Sequence, residues 1–207
     1  MSGNHTIVCQ PQNVGWLEEK MTGEVMSYLW KLVDNKKGVY SQNLAGVIHE
    51  SFELNDENNW FFDNVLIRLC DTYNLNFGRL YQRYQHDVKS ENLCLENIWV
   101  NYQKQTDFNP PHTHNGIFSF VIWMKIPTNH IDQNKNNKSN SKVVSSFEFL
   151  YHDLLGSMHP AIYEMNPEVE GTLLFFPSNL HHCVYPFFNC DEDRISISGN
   201  INAKKYK

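Results

Sequence analysis

Residues 95–102 read Leu-Glu-Asn-Ile-Trp-Val-Asn-Tyr, and this stretch decides the fold class. Its side chains alternate: Ile98, Val100 and Tyr102 fall on one side of an extended chain, Asn97, Trp99 and Asn101 on the other. Period-two alternation of β-branched and aromatic residues is the signature of a strand with two different faces. Five further short runs of the same kind follow, at 117–126, 146–151, 171–176, 182–187 and 194–202, separated by Pro, Gly or Asn. Closely spaced strands without helices between them point to a sandwich or barrel.

Upstream the pattern changes. Trp16, Lys20, Met21, Glu24, Val25, Tyr28 and Leu29 recur at helical spacing, which predicts an amphipathic helix over 15–34. Phe61, Val65, Leu66 and Leu69 predict the inner face of a second helix over about 59–73. The fold class is therefore mainly β with flanking N-terminal helices (α+β). The expected organisation is one domain over 1–207, with mostly helical support in 1–94 and the β core in 95–207. Residues 128–141 (TNHIDQNKNNKSNS) are polar and nearly free of apolar side chains, so they read as a mobile surface insertion rather than a folded element.

The chain has 207 residues, is 41% hydrophobic and carries a formal net charge of −6. That suffices for a packed core and lacks the basic excess of a nucleic-acid binder. No long apolar run suggests a membrane span, and residues 1–10 do not read as a secretory leader, so a cytoplasmic protein is expected. Five scattered cysteines without a CxxC motif fit reduced thiols better than a disulfide framework.

Six of the ten histidines, His5, His49, His86, His130, His152 and His159, stand alone. The others form two clusters, Pro-Pro-His112-Thr-His114 and Leu-His181-His182-Cys. On an extended strand His112 and His114 project to the same side, and the second cluster can add a third imidazole from another strand. Imidazole suits Fe, Zn, Cu and Ni alike. Arg194 opens the run RISISGN and shares a face with Ser196. A guanidinium with a neighbouring hydroxyl binds a carboxylate well. A chelating 2-oxo acid needs such a pair, with metal ligands at one end and a cationic anchor at the other. A salt bridge from Arg194 to Asp191, Glu192 or Asp193 is the competing structural use.

The chain resembles the iron(II)- and 2-oxoglutarate-dependent oxygenases at Trp99–Tyr102, Pro110–His114, Ser119–Trp123, Glu170–Pro177, Leu180–Pro186 and Arg194–Asn200. It is most similar to the prolyl-hydroxylase-like branch and its small bacterial and phage-borne members. The resemblance implies a double-stranded β-helix, a jelly-roll or cupin-like barrel. It implies His112, His114 and His182 as metal ligands, with His181 turned the other way. Arg194 and Ser196 would bind the distal carboxylate of 2-oxoglutarate, and Tyr102, Trp123 and Asn200 would line the cosubstrate pocket. His114 departs from the family pattern, which has Asp or Glu there; Asp107 is the substitute carboxylate to weigh against it. The implied activity is hydroxylation of a C–H bond using Fe(II), 2-oxoglutarate and O2, with release of succinate and CO2. The implied substrate is a prolyl residue in a peptide or protein, or alternatively a small molecule. Trp99, Phe118, Phe120, Trp123 and Phe175 are the expected apolar lining. The competing functions are a three-His cupin-type dioxygenase without 2-oxoglutarate, a non-catalytic metal-binding module and, more remotely, a zinc hydrolase.

Overall fold

The computed structural model describes residues 7–9, 13–81, 89–135 and 137–204. His5, His86 and most of residues 1–10 lie outside that set. In chain order the elements are β1 (Leu17–Lys20), α1 (Gly23–Asp34), β2 (Glu50–Glu53), a π turn (Phe62–Leu66) leading into α2 (Ile67–Tyr81), β3 (Leu93–Gln103), β4 (Asn109–His112), β5 (Phe118–Lys125), α3 (His130–Lys135), β6 (Ser146–His152), β7 (Met158–Glu164), β8 (Thr172–Pro177), β9 (His181–Val184) and β10 (Arg194–Ala203).

The strands form two antiparallel sheets. The larger runs β1-β8-β5-β10-β3-β2 and the smaller β4-β9-β6-β7. Apart from β2-β3 and β6-β7 the neighbours are non-consecutive in sequence, and the two sheets have an apolar cluster between them, as in a double-stranded β-helix. Strand alternation sorts the side chains of the large sheet. Ile98 and Val100 of β3, Phe118, Phe120 and Ile122 of β5, Phe175 of β8 and Ile197 of β10 pack against the helices. Val121 and Trp123 of β5 and Leu174 and Phe176 of β8 face inward, where they meet Phe147 and Phe149 of β6. Phe118 and Phe175 therefore belong with the helix-side core, contrary to the expected interior lining, and Phe120 packs in that core while also bordering the pocket described below. They have the opposite strand parity to Trp123.

The helical half differs from expectation in three places. Residues 17–20 are not the first turns of a helix but a strand, paired Leu17↔Phe175 through Lys20↔Thr172 along the edge of the large sheet. The helix begins only after Thr22, whose hydroxyl accepts from Val25 N at 3.4 Å as an N-cap. The second helix extends beyond 73 to Tyr81 and opens with a π turn, which keeps Phe62, Val65 and Leu66 buried. β2, β4 and β7 had no distinct sequence signal.

Residues 128–141 contain a folded element. Residues 130–135 form α3, with His130 and Asn134 buried. Asn134 Nδ2 donates to His130 O and Val144 O, both at 2.9 Å. Gln133 Nε2 donates to Phe188 O, and Gln133 Oε1 accepts from Phe188 N, both at 2.8 Å. Polar side chains here replace apolar packing by bonding to the backbone, which composition alone cannot distinguish from a free loop. No helix among the described residues is long and apolar enough to cross a membrane.

Candidate metal and cosubstrate site

β4 and β9 pair so that His112 stands directly opposite His182. Cross-strand partners have close Cβ atoms, which brings the two imidazoles together with ring centroids 4.3 Å apart. His114 lies two residues past the end of β4, where its backbone N donates to Ser178 O at 2.8 Å. It thus reaches the site from a turn pinned to the loop before β9, not from the same strand face as His112. His114 Nε2 is 3.2 Å from His182 Nε2. One nitrogen from each of the three histidines fits within 4.8 Å of the others.

Two of the other ring nitrogens have carbonyl partners. His112 Nδ1 is 2.8 Å from Pro110 O, and His182 Nδ1 is 2.9 Å from Leu180 O. A carbonyl only accepts, so each Nδ1 carries the proton and each Nε2 keeps its lone pair for a ligand. All three side chains are held neutral. Burial pushes the pKa of His112 down, that of His114 to about 4 and that of His182 well below the ordinary value. Mutual repulsion among the three adds to this for His114 and His182. Three neutral, convergent imidazoles are the protonation state a divalent transition metal requires.

His181 is exposed, turned to the opposite side of β9. Asp107 is not part of the cluster. Its Oδ2 accepts from His49 N at 2.6 Å and from Lys104 N at 3.0 Å, which ties a turn together, and the side chain that converges with His112 and His182 is His114.

Arg194 lies in the same pocket, 2% exposed. Its Nη2 donates to Ser145 Oγ at 2.8 Å, and its Nη1 makes long contacts to Gln103 Oε1 at 3.4 Å and Tyr185 O at 3.5 Å. Its Nε has no hydrogen-bond partner among the described residues. Among the described residues no carboxylate pairs with it. Asp193 pairs with Lys104 and Glu192 with Lys125 instead. The competing salt bridge is therefore absent. Burial pushes the guanidinium pKa down, because a charge without a counter-ion is costly in a low-dielectric interior. The pocket connecting Arg194 to the three histidines is lined by Trp99, Trp123, Phe147, Phe176, Ser196 and Ser198, among others.

Two expected lining residues are elsewhere. Tyr102 faces the helix side, edge-on to Phe52 with ring centroids 6.0 Å apart and beneath Lys36. Its strand neighbours Asn101 and Gln103 line the pocket instead. Asn200 is held in a hydrogen-bond chain. Its Oδ1 accepts from Ser119 Oγ, which contacts Ser178 Oγ, both at 2.8 Å. It thereby braces the loop that anchors His114. Ser145 and the segment 40–48 were missed. That segment contributes Tyr40, Leu44, Ala45 and Ile48 to the pocket, whereas the described residues of 128–141 contribute none. No motif marks either feature.

A family model for 2OG-Fe(II) oxygenases matches residues 97–200, half of the chain. The chain belongs to the 2OG-Fe(II) oxygenase family. This 2OG-Fe(II) oxygenase uses Fe(II), 2-oxoglutarate and O2, and the three histidines are of the right chemistry for iron. Its fold is shared with a prolyl-4-hydroxylase from Pseudomonas putida, at 13% identity and TM-score 0.50 over 93% of this chain and 94% of that one. It is also shared with the alpha-ketoglutarate-dependent epimerase SnoN of nogalamycin biosynthesis, at 12% identity and TM-score 0.56 over 92% of this chain and 79% of that one. These likenesses establish the fold of the oxygenase alone. No curated protein matches it in sequence.

Proposed function

We propose that the protein is a hydroxylase in which His112, His114 and His182 hold iron(II) and Arg194 takes the distal carboxylate of 2-oxoglutarate. One observation carries this reading: a buried guanidinium without a counter-ion shares a pocket with three neutral, convergent imidazoles. Each half is costly when unoccupied, and a metal-chelating dicarboxylate satisfies both. When bound, the iron and its cosubstrate supply activation of O2, giving succinate, CO2 and an oxidised C–H bond.

The chain's own residues bind, orient and exclude water. Pro110 O and Leu180 O hold the His112 and His182 imidazoles in one tautomer. Ser145 aims the guanidinium, while Ser196, on the same face of β10, offers the pocket a hydroxyl. Trp123, Phe147 and Phe176 form a dry wall behind the histidines. A prolyl residue in a peptide or protein is the substrate this reading favours. The fold shared with a prolyl-4-hydroxylase supports it.

Anaerobic titration of the iron(II)-loaded protein with 2-oxoglutarate tests the assignment. A weak visible charge-transfer band that is lost in Arg194→Ala is expected. Bound iron without such a band would sink the 2-oxoglutarate reading and favour a three-His dioxygenase.

A further inference from the structure

The apolar cluster between the two sheets contains the phenylalanines Phe147, Phe149 and Phe176, and also three rings that can give up an electron, Trp16, Trp123 and Tyr163. The oxidisable rings are contiguous. Trp123 lines the pocket that contains the three histidines and Arg194. Its indole stacks on Tyr163, with ring centroids 6.2 Å apart and planes 27° from parallel. Tyr163 Oη accepts from Trp16 Nε1 at 2.7 Å. Trp16 lies beside Tyr151, centroids 6.4 Å apart, and Tyr151 is 38% exposed. A series of Trp and Tyr rings therefore runs from the pocket wall to solvent.

Packing accounts for the rings but not for the polar group at the middle of the series. The Tyr163 hydroxyl donates to Glu18 Oε2 at 3.0 Å, and Glu18 is exposed. A tyrosine gives up an electron readily when its proton can leave with it, and a carboxylate already accepting the hydroxyl is the base for that proton. The Trp16 N–H keeps its bond to the phenolic oxygen throughout. A second pair of oxidisable rings, Trp99 and Tyr40, also borders the pocket, stacked with centroids 4.7 Å apart. That pair lacks a proton acceptor, since among the described residues Glu53 and Glu96 reach the Tyr40 hydroxyl only through space. Reaction of 2-oxoglutarate with O2 generates oxidising power before a C–H bond is cut, and without a substrate that power falls on the site's own side chains.

We propose that Trp123, Tyr163 and Trp16 form an electron path that discharges the iron site when it is oxidised with no substrate present. This rests on the iron site proposed above. One electron leaves Tyr163 through Trp123 and reduces the oxidised site by one equivalent. The hydroxyl proton passes to Glu18 Oε2, and a neutral phenoxyl radical remains. A soluble one-electron reductant of the ascorbate class, acting through Trp16 and Tyr151, returns the electron, and Glu18 returns the proton.

The test needs no substrate. Iron(II)-loaded protein is oxidised with 2-oxoglutarate and O2 in one arm and with hydrogen peroxide in the other, frozen at intervals and read by electron paramagnetic resonance. An organic radical is expected whose hyperfine pattern collapses in protein grown with ring-deuterated tyrosine. It should be lost in Tyr163→Phe and in Glu18→Gln, which keeps an acceptor but cannot take the proton. Ascorbate should quench it more slowly in Trp16→Phe, and thermal melts confirm that each variant is folded. Iron oxidised in both arms without a tyrosine radical, or a radical that persists in Tyr163→Phe, on Tyr40 for example, overturns the inference. A signal in the peroxide arm alone upholds the path and counts instead against 2-oxoglutarate as the source of the oxidising power.

Discussion

Ser145 Oγ lies 2.8 Å from Nη2 of Arg194, 49 positions later in the chain, and is the shortest hydrogen bond the buried guanidinium makes. Ser145 is fully buried and adopts φ 58, a left-handed conformation that costs a non-glycine residue about 1–2 kcal/mol. Its backbone N donates to Pro186 O and its carbonyl accepts from Met165 N, which hold it in that conformation. Strain that is over-determined by its surroundings and points at a functional side chain is consistent with a positioning role.

The first prediction follows from that contact. Ser145→Ala should raise the Kd for 2-oxoglutarate by roughly tenfold, the value of a hydrogen bond to a charged group. Ser145→Gly should lose the same affinity while melting higher than the alanine variant, since glycine tolerates the positive φ. Arg194→Lys should lose more, because an ammonium cannot reproduce the guanidinium fork. Anaerobic titrations with 2-oxoglutarate and thermal melts separate these effects. Equal affinity in wild type and Ser145→Ala would remove the serine from this role.

His114 and His181 should behave differently. His114→Ala should weaken Co(II) or Fe(II) binding more than about a hundredfold, beyond the 10–100-fold typical of an outer-shell partner. His181→Ala, on the exposed side of β9, should leave the affinity within about twofold. His114→Asp should retain the metal, since a carboxylate suits the same ion. Calorimetric titration decides, and comparable losses in the two alanine variants would argue against His114 as a ligand.

The pH dependence has a definite sign. Burial holds the three imidazoles neutral, with His114 pushed down to about 4 from the ordinary 6.5. In the unfolded chain they accept protons near 6.5. The stability from keeping them neutral is therefore complete above that pH and is lost as pH falls toward 4. His114 alone accounts for on the order of 3 kcal/mol. The metal-free protein should lose denaturation midpoint steeply between pH 6.5 and 4. Metal binding at pH 7 should release few protons, measurable by calorimetry in buffers of different ionisation enthalpy. A flat stability profile over that range would show that the histidines are not buried as described.

Gly199 sits in β10 opposite Phe120 of β5. A Cβ there would lie 2.5 Å from Phe120 Cζ and 2.8 Å from Asn97 O. Neither neighbour yields easily, because the Phe120 ring packs edge-on against Phe61 and Asn97 O is backbone. Gly199→Ala should destabilise the protein by about 1–3 kcal/mol. A thermal shift of the metal-loaded protein measures it, and an unchanged melting temperature would show that this part of the sheet is slack.

The two histidine clusters were legible because each is local, and so was the fold class, because strand alternation is local. Arg194 and Ser196 were legible for the same reason, as neighbours on one strand face. Tyr102 was misplaced by following the family pattern past what alternation allows, whereas Asn200 keeps the parity of Arg194 and Ser196 and is taken up by Ser119 and Asn97. Tyr102 shares its parity with Ile98 and Val100, which face the helices. β1 was hidden because Leu17–Lys20 runs straight into helical spacing, and only its pairing with β8 makes it a strand.

The sequence by itself determined which chemical groups were available: three imidazoles, a guanidinium and strands with distinct faces. Those follow from residue identity and the two-residue strand period. Tertiary structure alone decided that Asp107 is spent on a turn, that Arg194 has no carboxylate partner, that Ser145 aims it, and that 39–48 rather than 128–141 borders the pocket. Each of these depends on contacts between segments distant in the chain. Such contacts are set by how the two sheets close on one another, and no local pattern of residues encodes that.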